Sequence, residues 1–264
     1  MDLKLVGKKA LVTGSTAGIG FAIAKALAAE GAAVIVNGRT RKRVDAAVSG
    51  IREAHPGSDV SGVAADVGTA AGVRTLVGKV RDVDVLINNA GIFQAVPFLN
   101  ISDGEWTRFF DTNVMSGVRL TRALLPGMLK KKWGRVIFIS SESGLHIPPE
   151  MVHYGVTKTA QIALARGIAE TVAGSGVTVN SVLPGPTMSE GVGKFVDELS
   201  RAQKKSRAQF EKEFIETMRP TSLIRRFAET SEVASLVTYL CGEPASATTG
   251  AAMRVDGGVV RAIP

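Results

Sequence analysis

Short, almost uninterrupted apolar runs recur along this chain, each followed by a longer stretch of helical periodicity. That alternation limits the fold more than any other feature. The runs lie at 10–12, 33–36, 85–87, 136–139 and 177–179, with weaker ones at 60–65 and 252–255. They do not alternate apolar with polar residues, as a sheet with one wet face would. They suit parallel strands covered on both faces. The helical patterns between them lie at 18–30, 40–54, 70–80, 103–129, 152–173 and 231–240. Strand–helix alternation of this kind implies an α/β doubly wound parallel sheet with right-handed crossovers. No Pro/Gly/Ser-rich linker or internal repeat divides the 264 residues, so a single domain is expected.

One region departs from the pattern. Residues 189–222 follow Pro184-Gly185-Pro186 and carry a charged helical stretch over 194–218. A long excursion from a compact domain suits a substrate lid; a solvated helix packed on the body is the alternative. Lys194, Arg201, Lys204, Lys205 and Arg207 in it are offset by Asp197, Glu198, Glu211 and Glu213, which favours a solvated charged face over an anion-binding surface.

Several function classes are excluded or disfavoured. The single cysteine, Cys241, rules out an intramolecular disulfide and an all-cysteine metal site. His55, His146 and His153 show no metal-binding spacing. The net charge of +8 is scattered, with small clusters at Arg39/Arg41/Lys42/Arg43 and Lys130–Lys132 and no accompanying nucleic-acid motif. No specific nucleic-acid partner is expected. The N-terminus has no secretory apolar segment and no run reaches membrane-spanning length, so a cytoplasmic protein without a membrane partner is expected.

Chemistry enters at the first turn. Gly14-Ser15-Thr16-Ala17-Gly18-Ile19-Gly20 follows the first apolar run and opens a helix. Glycines there allow a tight turn and close approach of a pyrophosphate to a helix N-terminus, so Gly14, Ser15, Thr16, Gly18, Ile19 and Gly20 are candidate dinucleotide contacts. The second run ends in Asn37-Gly38-Arg39-Thr40, with no carboxylate to hold a ribose 2′-hydroxyl. A guanidinium there suits a 2′-phosphate, so NADP(H) is expected in preference to NAD(H), with Arg39 the principal contact and Arg41 or Lys42 secondary. Asp66-Val67 could meet the adenine amino group, or Asp66 could instead cap a helix or shape a loop.

Tyr154 and Lys158 are four residues apart and share one helix face. Ser141 lies just after the 136–139 run, thirteen residues before Tyr154, and Asn113 lies within the 103–129 pattern. With the glycine turn, Asn88-Asn89-Ala90-Gly91, Pro184-Gly185 and Val255-Asp256-Gly257-Gly258, these motifs fall in one order over essentially the whole chain. In that order the chain resembles the short-chain dehydrogenase/reductase family.

The resemblance implies a single Rossmann-type domain that interconverts a carbonyl and a secondary alcohol by hydride transfer, some members acting on 3-oxoacyl thioesters. It implies that Ser141 hydrogen-bonds the reacting oxygen and Tyr154 exchanges its proton, with Lys158 lowering the phenol's pKa and binding the cofactor ribose. Asn113 would hold a water that links Lys158 to solvent. Asn89, Ala90 and Gly91 would pass close to the cofactor. Pro184 and Gly185 would begin the wall over the nicotinamide, whose carboxamide Thr187 or Ser189 would bond. A homotetramer is implied, with residues 255–264 near a subunit contact.

The substrate pocket is expected at Phe93, Gln94, Ser143, Leu145, His146, His153 and Met188 together with the excursion. Mostly apolar, that lining favours a moderately hydrophobic ketone or alcohol. A catalytically inactive NADP(H)-binding sensor or scaffold is the alternative, but binding alone requires neither Tyr154 nor Ser141.

Overall fold

The computed structural model describes residues 1–80, 82–202 and 205–263, without the side chains of 194, 195, 198, 199 and 202. Its elements alternate in the expected way. In chain order they are β1 (Lys9–Val12), α1 (Gly18–Ala29), β2 (Ala33–Gly38), α2 (Arg41–Ala54), β3 (Val60–Ala64), α3 (Ala70–Lys79) and β4 (Val85–Asn88). Then come α4 (Asp103–Phe109), α5 (Ser116–Lys131), β5 (Gly134–Ile139), α6 (Val152–Thr171), β6 (Val177–Pro184) and β7 (Thr187–Met188). The chain closes with α7 (Glu190–Ala202), α8 (Arg207–Met218), β8 (Ala228–Glu229), α9 (Thr230–Cys241) and β9 (Ala252–Val255).

Seven strands form one parallel sheet in the order β3-β2-β1-β4-β5-β6-β9. Alternate residues of each strand feed opposite faces. Ala10, Val12, Ile87, Ile137 and Ile139 pack toward α1, α2 and α9. Leu11, Leu86, Val136, Phe138 and Val179 pack toward α3, α5 and α6. Every residue of β4, β5 and β6 is buried, which is why their sequences are mostly apolar; among the polar exceptions, Asn88, Arg135, Asn180 and Ser181 are hydrogen-bonded. The strand order reverses between β1 and β4, and a crevice at such a switch point, beyond the carboxyl ends of the strands, is where open α/β sheets bind ligands.

Two expected elements are subdivided. The helical pattern over 103–129 is not one uniform helix: α4 passes through a π-helical segment, Phe110–Met115, into α5. The wider π turn carries Asn113, whose side chain is tied to residues outside the helix. The helical stretch expected over 194–218 is two helices, α7 and α8. They pack around a small core of their own, Val196, Phe210, Ile215 and Phe227. Lys204 and the side chains of Lys194 and Glu198 lie outside the described residues. The remaining charges are largely paired with one another: Lys205 with Glu213, and Arg207 with Glu211 at 2.7 Å and Asp197 at 3.4 Å. This is the solvated charged face that the composition implies.

Candidate active site

The turn after β1 is built to let a ligand's backbone-sized group come close. Gly14 and Gly18 have φ of +61° and +58°, a region costly for other residues. A Cβ at Gly20 would lie 2.4 Å from Asn89 Nδ2 and 2.6 Å from the Gly14 carbonyl oxygen. No side chain caps α1 and its first turn holds no acidic residue, so its leading amides and positive dipole end are free to meet an anion. This cradle fits a dinucleotide pyrophosphate. Ser15 is buried and serves the turn itself: its Oγ donates to the Val12 carbonyl at 2.6 Å and accepts from the Asn37 amide at 3.0 Å. Thr16 covers Gly38, where a Cβ would come within 2.4 Å of its methyl group. Ile19 packs on the core beneath α1.

Arg39 emerges from the end of β2 fully to solvent, and among the described residues it has no hydrogen-bond or ion-pair partner. Its neighbours are engaged: Arg41 with Asp45 at 2.8 Å, and Arg43 with Glu190 at 3.5 Å. Asn37, near the end of β2, turns inward. Its Nδ2 donates to the Val63 and Ala65 carbonyls, each at 3.1 Å, clamping β2 to β3. Asp66 is exposed, and one of its oxygens accepts from the Gly68 amide at 3.0 Å. It does not cap α3; Thr69 does, accepting from the Gly72 amide at 3.0 Å. Val67 is buried against α3.

The segment after β4 ties two strand ends together. Thr13 Oγ1 accepts from the Asn89 and Ala90 amides, both at 3.0 Å, while Asn89 Nδ2 donates to the Thr13 and Gly14 carbonyls. Gly91 then passes so near Lys158 that a Cβ there would sit 3.5 Å from its Nζ.

Ser141, Tyr154, Lys158 and Asn113 converge at the carboxyl end of β5. α6 is drawn tightly onto the turn after Ser141. A Cβ at Gly144 would fall 3.0 Å from the Lys158 carbonyl carbon, Ser140 Oγ donates to the Lys158 carbonyl at 2.7 Å, and Thr159 Oγ1 donates to the Gly144 carbonyl at 2.8 Å. Lys158 is buried, its Nζ donating to the Ile139 carbonyl at 2.9 Å and Gln161 Oε1 at 3.0 Å. Burial pushes its pKa down to about 7. Its ammonium lies 5.5 Å from the centre of the Tyr154 ring.

Among the protein's own groups the Tyr154 phenol is raised above its usual range. Burial is the main cause, Glu142 adds to it, and hydrogen bonding to Ser141 and the charge of Arg219 oppose it. The lowering expected from Lys158 therefore does not dominate in the protein by itself.

Asn113 is fixed by the chain rather than by helix geometry. Its Oδ1 accepts from the Ile92 amide at 2.8 Å, and its Nδ2 donates to the Ile92 carbonyl at 3.0 Å and Thr157 Oγ1 at 2.9 Å. Its backbone carbonyl accepts from Gln161 Nε2 at 2.7 Å. Gln161 thus bridges Lys158 and Asn113 directly. The sequence reading passes over it, although its i+3 spacing from Lys158 places it on the same helix face. A second unread residue is Glu142, buried beside Ser141, whose hydroxyl donates to it at 2.5 Å. Its other oxygen accepts from Arg219 at 3.0 Å, a residue of the excursion.

The remaining expected residues frame the mouth. Gly185, after Pro184 at the end of β6, is pinned by its amide to the Val255 carbonyl at 3.2 Å. Thr187 Oγ1 is used internally, donating to the Gly185 carbonyl at 2.9 Å. Ser189 begins α7 and faces the glycine turn, its Cβ 3.2 Å from where a Gly18 side chain would start. Phe93 stands edge-on to the Tyr154 ring at 6.4 Å, with Leu145 exposed at the rim. His153 does not line this mouth. It is fully buried on the other side of α6, its ring 3.9 Å from that of Phe109, and both its nitrogens lack partners. Among the described residues no helix is long and apolar enough to cross a membrane, and no cluster of metal-ligating side chains occurs.

Comparison with known proteins agrees with this geometry. Residues 8–199 match the short chain dehydrogenase family. The chain is 46% identical to the uncharacterized oxidoreductase YvaG of Bacillus subtilis (strain 168), over 100% of both chains. It is 36% identical to D-beta-hydroxybutyrate dehydrogenase of Cupriavidus necator, covering 97% of this chain and 99% of that one. Among solved structures it superposes on L-sorbose reductase from Gluconobacter frateurii, complexed with NADPH and L-sorbose, with a TM-score of 0.95, 32% identity and full coverage of both.

Proposed function

This chain belongs to the short-chain dehydrogenase family, and on that footing we propose that it is an NADP(H)-dependent enzyme interconverting a ketone and a secondary alcohol. The convergence of Ser141, Tyr154 and Lys158 beside the glycine turn carries the reading. NADP(H) is favoured over NAD(H) because Arg39 is an unengaged cation just after β2 and no carboxylate stands there to repel a 2′-phosphate. NADPH in the sorbose reductase supports the same choice.

The glycine turn would hold the pyrophosphate, Arg39 the 2′-phosphate, Asp66 and Val67 the adenine, and residues 89–91 and 184–189 the nicotinamide half. When bound, the cofactor supplies or accepts the hydride. The protein's own groups handle the oxygen. Ser141 donates a hydrogen bond to it, and Tyr154 gives its proton to the forming alcohol or takes it from a substrate alcohol. Lys158 favours the phenolate, and Gln161, bonded to both Lys158 Nζ and the Asn113 carbonyl, holds the lysine and the Asn113 segment in place. The apolar rim of Phe93 and Leu145 suits a moderately hydrophobic carbonyl substrate. We propose a homotetramer, which light scattering would test, and a cytoplasmic location, which fractionation would test.

The decisive experiment follows nicotinamide absorbance with a panel of ketones and secondary alcohols, using NADPH and NADH in parallel. Turnover with NADPH at a higher kcat/KM than with NADH is expected. Preference for NADH would overturn the cofactor assignment, and NADPH binding without turnover of any substrate would favour a sensor.

A further inference from the structure

Ser141 is followed by a carboxylate that has no role in the chemistry above. Glu142 is only 4% exposed. Both of its oxygens are engaged: Oε2 accepts from Ser141 Oγ at 2.5 Å and Oε1 accepts from Arg219 Nε at 3.0 Å. Ser141 Oγ itself accepts from the Ser143 amide at 3.1 Å, so the hydroxyl is oriented by one donor and one acceptor. Arg219 stands where α8 ends and the excursion returns to the body. Its guanidinium also donates to the Met218 carbonyl at 2.7 Å and reaches Glu150 at 3.8 Å. The Arg219 side chain is 11% exposed and that of Glu142 5%, so the pair is poorly screened by water.

We propose that Glu142 and Arg219 form a buried positioning pair for the catalytic hydroxyls. The carboxylate fixes the position of Ser141 Oγ in the ligand-free chain, and the hydroxyl's single proton turns from it to a bound substrate oxygen; the guanidinium, carried by the 189–222 excursion, balances the charge placed beside Tyr154. The arrangement has a physical consequence. A carboxylate one residue from Ser141 disfavours ionisation of Tyr154, and a cation on that carboxylate restores it. The excursion is then more than a cover: it carries the cation that offsets the carboxylate beside Tyr154. The groups facing Tyr154 divide by element. Glu142 comes from the turn after β5, Arg219 from the end of α8, Lys158 from its own helix, and Glu150 from the turn before α6 by way of Arg219. His153 faces the opposite side, toward Phe109 and Trp106.

This inference rests on Tyr154 being the proton-transfer group, so its test reads Tyr154 without needing a substrate. The chain has two tyrosines, Tyr154 and Tyr239. In a Tyr239→Phe background, tyrosinate absorbance at a fixed alkaline pH reports Tyr154 alone, with circular dichroism on the same samples to establish that the chain is folded. Glu142→Gln is expected to raise the ionised fraction, and Arg219→Gln to lower it, each by a shift of about half a pH unit or more in midpoint. The double variant is expected to return near the parent. Where a substrate is turned over, the rise of kcat/KM with pH for alcohol oxidation, which follows ionisation of Tyr154, should move in the same two directions, and Arg219→Lys should restore it. A pair that merely anchored the excursion would change KM and leave the midpoints together. Equal ionised fractions in all folded variants would overturn the proposal. Should Arg219→Gln fail to fold, Glu142→Gln decides alone, and an unmoved midpoint there refutes it. Opposed shifts in a protein that turns over no alcohol would leave this inference standing and remove the functional reading instead.

Discussion

Lys158 shows at the scale of one residue how the site trades stability for chemistry. Its ammonium is buried with two hydrogen-bond partners and no carboxylate, and its pKa falls to about 7. Below that pH the lysine is charged in both folded and unfolded chains, and burial costs its full amount. As pH rises past 7 the folded chain loses a proton that the unfolded chain keeps up to about 10.4, so stability climbs with pH across that window. Lys158→Met should therefore stabilise the fold near pH 6, on the order of 1–3 kcal/mol, and the advantage should shrink by pH 9.5. Thermal or urea unfolding at the two pH values checks this; an advantage independent of pH would show that desolvation of the charge is not the cause. Tyr154→Phe separates chemistry from binding. Turnover should fall by about 100-fold or more, while the affinity for NADPH, measured by fluorescence titration, stays within a few-fold. A variant of near-normal activity would remove Tyr154 from the proton transfer.

Elements differ in how far they could be read from the sequence, and for physical reasons. Strands buried on both faces declare themselves, because few polar residues can be placed in them, as the Val136–Ile139 and Val85–Ile87 runs show. The π segment at Phe110–Met115 is invisible to periodicity, since the bonds that fix Asn113 there come from Ile92 and Thr157, far away in the chain. Glu142 was illegible for the same reason, its partner Arg219 being 77 residues distant. The division of the excursion was legible in principle. Ser206 and Gln209 form a reciprocal capping box that starts α8, a pattern of a hydroxyl followed three residues later by Glu or Gln. The α7–α8 pair has its own core, so it should open independently of the sheet. Phe210→Ala removes a buried ring from that core, a loss of roughly 3 kcal/mol. Its expected result is faster proteolysis within 189–222 and a raised KM, with little change in the main unfolding transition. A comparable fall in the main transition would show that the excursion and the body unfold as one.

Across the whole molecule, the cofactor cleft joins two halves of one sheet. β1, β2 and β3 supply the glycine turn, Arg39 and Asp66, whereas β4, β5 and β6 supply the 89–91 segment, the proposed catalytic residues and the 184–189 wall. Hydrogen bonds from Asn89 to the Thr13 and Gly14 carbonyls already cross the seam between them. A ligand contacting both halves binds the folded chain and not the unfolded one, so it must stabilise the whole by mass action. At a concentration of about 100 times its Kd the gain is roughly 2.7 kcal/mol. For a chain of this size that corresponds to a rise in Tm of roughly 5–10 °C. NADP⁺ should therefore raise Tm more than NAD⁺ at equal concentration. The difference should originate at Arg39, because the two ligands differ only in the 2′-phosphate. Arg39→Glu replaces an unengaged cation with a charge that repels phosphate and can accept from a ribose hydroxyl, so the order of the two shifts should reverse. Differential scanning fluorimetry of both proteins with both ligands reads the result directly. If Arg39→Glu leaves NADP⁺ the stronger stabiliser, the 2′-phosphate is held elsewhere, with Lys42 the next cation along the same turn.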